Sequence, residues 1–207
     1  MNRNVAAILT SLGATLFSLP ALGQIVSADP SQAPAGIYRL EASHSQLLFS
    51  ILHLGLTQYY GRFDRLSGTL NFDSRQPEKS ITSINVDISG IDTPSSQLNA
   101  ELKGASVFDA ARFPQAAFKS TAIARIGATA GTITGDLTLH GVTKSVTFAA
   151  NFVGGKPDPF NGVYAIGFSA TGTIKRTDFG LTGMSWEPMV SDDVTLIIQA
   201  MFDQEKR

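Results

Sequence analysis

Three histidines, His44, His53 and His140, are the residues of this chain best suited to acid–base or metal chemistry, and they are scattered along it. Metal-binding histidines recur three or four positions apart, beside cysteines or carboxylates. That spacing is absent and the chain has no cysteine, so hydrogen-bonding and turn-holding roles are expected and no metal. Nucleophilic catalysis lacks a frame as well. Serines abound, but none stands in a Gly-x-Ser-x-Gly elbow, and Gly154-Gly155-Lys156-Pro157 reads as a loop breaker rather than a phosphate cradle. Asp192-Asp193 reads as a solvated turn before the last strand, and Arg176 with Asp178 as a local pair around Thr177. No catalytic residue is expected. Lys144 is the one candidate for contact with a polar headgroup. Hairpin parity puts it on the face of Val142 and Val146, near a turn, with its stem on apolar surface and its amine at a rim. A local bulge would turn it outward instead.

The elements that must position these residues are strands. From Thr132 to Phe152 the chain alternates strictly, with Ile133, Gly135, Leu137 and Leu139 on one face and Thr134, Asp136 and Thr138 on the other. Val142, Val146, Phe148, Ala150 and Phe152 repeat the pattern after His140-Gly141, where glycine suits a tight turn. A two-residue turn pairs Leu139 with Val142. Period two recurs elsewhere. Ser45–Leu54 carries Leu47, Phe49 and Ile51 on one face and Leu48, Leu52 and Leu54 on the other, which suggests an element packed over it. Leu66, Gly68, Leu70 and Phe72 face inward next, then Ile84, Val86 and Ile88. Later come Ile166 and Phe168 in Val163–Lys175, after a Gly-Gly-Lys-Pro-Asp-Pro-Phe loop. Leu196 and Ile198 follow in Val194–Phe202. Alternation fails over about 93–112, where one or two short helices are expected, Thr93 capping with Pro94 at the first position. Roughly eight antiparallel strands, each with one apolar face, make this all-β.

Composition narrows the function. The chain has 207 residues, 16% of them charged, with a formal charge of −1 and no basic run. Nucleic acid is excluded as a partner, because phosphate binding needs concentrated positive charge. Arg3, the uncharged stretch Val5–Leu19, Pro20 and Ala21-Leu22-Gly23 read as a cleaved signal peptide over 1–23. Export to the periplasm or beyond is therefore expected, with no membrane-integral segment left after cleavage. Residues 24–35 read as a flexible lead-in, and the folded domain as 36–203.

Six ordered motifs carry a resemblance: His44-Ser45; His53-Leu54-Gly55; Gly61-Arg62-Phe63; Phe113-Pro114 with Phe118-Lys119-Ser120-Thr121; Gly135 through Lys144; and Arg176-Thr177-Asp178-Phe179-Gly180. Together they closely resemble the YceI-like family of lipocalin-like, polyisoprenoid-binding proteins, over about Gly36–Phe202. The resemblance implies an extended eight-stranded antiparallel β-barrel and a periplasmic, non-catalytic carrier or reservoir. Its ligand would be one long apolar chain: an isoprenoid, an isoprenoid quinone or a fatty acyl derivative. No other cofactor is implied, and a homodimer is left open. Where many relatives read Arg-Asp-x-His-Leu, this chain has Leu98-Asn99-Ala100-Glu101-Leu102.

The candidate ligand-binding wall is then the inward apolar set: Phe49, Ile51, Leu70, Phe72, Ile84, Val86, Ile88, Leu137, Leu139, Phe148, Ile166, Phe168, Leu196 and Ile198. On patterning alone such a set packs on itself as an ordinary core, giving a structural or protein-interaction domain. The resemblance favours a channel, and Gly68, Gly135, Ala150 and Ala170 at inward parity are expected to leave it volume. A hydrolase or isomerase acting on an amphipathic substrate is the third reading and has no motif. Burial of a methylene is worth about 0.8 kcal/mol, so a few isoprene units suffice for micromolar binding.

Overall fold

The computed structural model describes residues 26–206, so the signal segment 1–23 lies outside the described residues. Eleven strands form one antiparallel sheet: β1 (Gly36–Leu40), β2 (Gln46–His53), β3 (Thr57–Phe63), β4 (Leu66–Phe72), β5 (Ile81–Asp87), β6 (Ile91–Asp92), β7 (Gln115–Arg125), β8 (Ala130–Leu139), β9 (Val142–Pro157), β10 (Tyr164–Lys175) and β11 (Val190–Gln204). Six of these are halves of three bent strands. β1 and β2 run along successive parts of β11, pairing Leu40 with Phe202 and Leu47 with Ile198. β4 pairs with β1 and β3 with β2, while β5 pairs with β4 and β6 with β3. The outcome is a closed eight-stranded barrel with neighbours in chain order. Closure leaves no long edge open to another chain.

Local chemistry sets each bend. Between β1 and β2 the Glu41 carboxylate accepts from the N–H groups of Ser43 and His44, making a single tight turn. Ser45 Oγ then accepts from Met201 N–H at 3.0 Å, which bridges the gap in the ladder. Between β5 and β6 Asp87 caps a second such turn, and Arg65 donates to Asp87 and Ser89 across it.

Some expectations change. Thr57–Phe63 is a strand that periodicity did not reveal, because only Tyr59, Gly61 and Phe63 share its inner face. Among the described residues no element packs over β2. Its outer Leu48 and Leu52 are half-buried among sheet neighbours such as Arg62, Ile197 and Gln58. Gly154–Pro157 extends β9 rather than forming a loop, since Gly155 pairs with both Ile166 and Ser27. Asp192 and Asp193 lie inside β11, where its register with β2 breaks between Val190 and Val194.

Part of the lead-in is held on the barrel. Ser27 and Gly155 exchange backbone hydrogen bonds at 3.0 and 2.9 Å, and Ala33 is buried. Tyr38, fully buried, donates its hydroxyl to the Pro34 carbonyl at 2.6 Å. Burial, with Tyr164 beside it, pushes the Tyr38 phenol up to about 12.

The β8–β9 hairpin has the expected register, Leu139 opposite Val142. His140 (φ 51°) and Gly141 (φ 76°) are both left-handed, the backbone a two-residue turn between right-twisted strands requires. One helix, α1 (Ser96–Lys103), stands in the 93–112 region. Its cap is Ser95, whose Oγ accepts from Leu98 N–H, and not Thr93. Thr93 instead braces the turn before it, its Oγ1 accepting from Ser95 N–H. Among the described residues no helix is long and apolar enough to cross a membrane.

Candidate functional site

The inward faces meet where Phe72 packs against Phe152 and Phe168, on strands that are not its neighbours, and leave space elsewhere. Two chambers, about 250 and 410 Å³, lie one after the other inside the barrel. Strand register orders them. Along β11 the first is lined by Phe202, Ala200 and Ile198, and the second by Val194 and Val190, with Leu196 in both. The walls of both are almost wholly apolar.

The structure brings most of the predicted wall to these spaces. Leu70, Phe72, Ile84, Phe148, Phe168 and Ile198 line the first chamber, and Phe49, Ile51, Ile88 and Leu139 the second. Val86, Leu137 and Leu196 line both. Ile166 lines neither. It is 1% exposed, in a cluster with Tyr38 and with Phe72, Phe152 and Phe202, the last three of which line the first chamber. Lys144 sits directly opposite Leu137, as parity requires, yet it is exposed and contributes to neither wall.

The inward glycines act differently from expectation. Gly68 and Gly135 do not leave empty space; neighbouring side chains occupy it. A Cβ on Gly135 would lie 2.5 Å from Phe118 Cζ, and one on Gly68 would lie 2.6 Å from Ile84 Cδ1. Gly61 and Gly172 likewise take the rings of Phe49 and Phe148. Each ring therefore packs over a bare Cα of the adjacent strand. Ala150 and Ala170 do line the first chamber.

The second chamber ends in irregular structure that sequence period could not show. Helix α1 contributes Leu98 and Leu102, and residues 181–189 contribute Leu181, Met184, Trp186 and Met189. Trp186 Nε1 donates to Glu101 Oε1 at 2.5 Å, tying the segment to the helix. Asn99 accepts from Thr93 N–H and donates to Asp92. Both polar residues of the Leu98–Leu102 stretch thus brace this end of the barrel.

Arg176 anchors the same segment. It is 7% exposed and donates to the Leu181 carbonyl at 2.8 Å, the Ser191 carbonyl at 3.3 Å and Glu187 Oε1 at 3.0 Å. Its partner is therefore Glu187 and not Asp178, which the turn Arg176–Phe179 directs outward. The histidines are dispersed. His44 meets Glu41, His53 lines the second chamber, and His140 Nδ1 lies 3.2 Å from the Phe179 carbonyl.

The hydrogen bond from Arg176, with that from Gly183 N–H, holds the Glu187 carboxyl below its usual 4.5. A carboxylate more acidic in the folded chain stabilises it above the unfolded pKa, and the gain fades as pH falls through the folded value. Acidification below about pH 4.5 is accordingly expected to loosen residues 181–189. Trp186, the single tryptophan, reports this as red-shifted emission. Glu187→Gln should show part of that shift at neutral pH and a smaller step on acidification. An acid step identical to that of the unaltered protein would contradict the assignment.

A closed antiparallel barrel with a hollow, apolar interior places the fold in the lipocalin-like class. The chain belongs to the YceI-like family: the YceI-like domain model matches residues 38–202. It is 37% identical over 184 residues to the UPF0312 protein ECA1782 of Pectobacterium atrosepticum, covering 89% of this chain and 94% of that one. The crystal structure of the Campylobacter jejuni YCEI protein is 28% identical, with a TM-score of 0.67, over 74% of this chain and 90% of that one. A polyisoprenoid-binding domain from Saccharophagus degradans shares the fold at 17% identity and a TM-score of 0.61, over 83% of this chain and all of that one.

Proposed function

We propose that this protein binds one long-chain apolar lipid inside the barrel, as a periplasmic carrier or reservoir, and performs no chemistry on it. The observation that carries this reading is the two-chamber lumen, whose apolar walls enclose more space than side chains fill. An aliphatic or isoprenoid chain gains from leaving water in proportion to its buried area, and such walls present few groups to attack it. Family membership agrees with this, and the Saccharophagus degradans domain is described as polyisoprenoid-binding. The signal-like N-terminus supplies the route to the periplasm.

The test is native mass spectrometry of protein taken from the periplasm of an expressing bacterium, followed by organic extraction. The expected result is a near-stoichiometric lipid with a long hydrocarbon chain, and the same spectrum reads whether the protein is a homodimer. Protein that is lipid-free, and that then binds neither a polyprenol nor a quinone probe, would overturn the proposal.

A further inference from the structure

Four side chains stand between the chambers: Leu47 on β2, Val86 on β5, Leu137 on β8 and Leu196 on β11. Each lines both spaces, and on every one of these strands the inward neighbours divide between the two sides. Ile84 precedes Val86 in the first chamber and Ile88 follows it in the second. Ile133 and Leu139 flank Leu137 in the same way, and Ile198 and Val194 flank Leu196. β2 and β11 are neighbours, while β5 and β8 belong to other parts of the wall, so the side chains converge from three directions.

We propose that this ring is a waist that selects the ligand by cross-section. A linear chain, bare or methyl-branched, threads it and occupies both chambers. A fused-ring lipid such as a sterol fills one chamber and stops there. The idea rests on lipid binding by the lumen and adds the class of lipid bound. The physical basis is stiffness: leucine and valine have few rotamers, and these are fixed by strand neighbours, Val86 for example lying between Leu66 and Ala116. Opening the ring for a fused-ring ligand would displace packed strands, whereas a single chain asks for a much narrower passage.

The measurement is affinity for a graded series of linear prenyl alcohols, from geraniol to a long polyprenol, with a sterol alongside. In the unaltered protein affinity should keep rising after the chain has outgrown one chamber. Leu137→Phe should narrow the waist, lowering long-chain affinity roughly tenfold or more while short-chain affinity stays within about twofold. Leu196→Ala should widen it and raise sterol affinity. Val86→Leu gives a second narrowing variant should Leu137→Phe fold poorly, with folding judged by far-ultraviolet circular dichroism and Trp186 emission. If the unaltered protein discriminates by length but folded narrowing variants match it throughout, or lose all lengths equally, the waist is refuted and lipid binding stands. If the unaltered protein binds no member of the series, lipid binding fails and the waist with it.

Discussion

Replacing Arg176 with leucine is expected to lower the unfolding free energy by about 3 kcal/mol. The guanidinium is nearly excluded from water and serves two backbone carbonyls and a carboxylate at once. Leucine fills part of the space but leaves the carbonyls of Leu181 and Ser191 without that donor, and a buried orphaned acceptor costs about 1–3 kcal/mol. Glu187, 27% exposed, can turn to water once its partner is gone and adds little. Arg176→Lys should recover only part of the loss, because one ammonium cannot reproduce the planar fork. Lys175→Leu is the control. Lys175 pairs with Asp193 on the exposed face at 2.7 Å, and solvent screening leaves such pairs little to contribute. Urea midpoints for the three variants decide the matter. A loss in Arg176→Leu no greater than in Lys175→Leu would show that residues 181–189 are held mainly by the packing of Leu181 and Met184.

Much of the lumen was legible because each strand of a small barrel has one face to the interior and one to water. Parity alone assigns Leu137, Leu139 and Phe148 to the interior, and the structure places all three on chamber walls. Relations between strands were not legible in this way. Gly135 looked like empty space from its own strand, while the ring that fills it belongs to Phe118 on the next. Ile166 has the right parity, but it lines neither chamber, and parity carries no depth. The strand Thr57–Phe63 carries little apolar alternation because a glycine stands at the centre of its inner face. The local pattern pairs Arg176 with the acid two positions away, since nothing in it shows that the turn sends Asp178 outward and brings Glu187 inward. The six ordered motifs made the family legible. The jobs of some of them, such as His140 holding its turn against Phe113 and the Phe179 carbonyl, needed coordinates.

The relation between Gly61 and Phe49 makes the strongest prediction for binding. The two residues are directly opposed on β3 and β2, and the Phe49 ring lies over the bare Cα, tilted at 51° against Phe63. A Cβ on Gly61 would come 2.6 Å from Phe49 Cε1, closer than real contacts allow. The neighbour that must yield is a side chain, so the ring is expected to swing off the wall into the second chamber that it lines. Gly61→Ala should therefore weaken binding of a long polyprenol by roughly tenfold or more, since the ring occupies space the chain requires. It should also cost about 1–3 kcal/mol of stability, the usual penalty of overpacking. A second substitution separates the two effects. Phe49→Leu in the Gly61→Ala background removes the obstructing ring and should restore most of the affinity. It should restore stability less completely, because the new Cβ still meets the Asp92 carbonyl oxygen at 3.0 Å. Isothermal titration and urea denaturation on the two single variants and the double variant form a complete cycle. A folded Gly61→Ala protein that binds polyprenol as tightly as the unaltered one, or a double variant with no recovery of affinity, would mean that the bore of the lumen is set elsewhere than by these glycine–phenylalanine pairs.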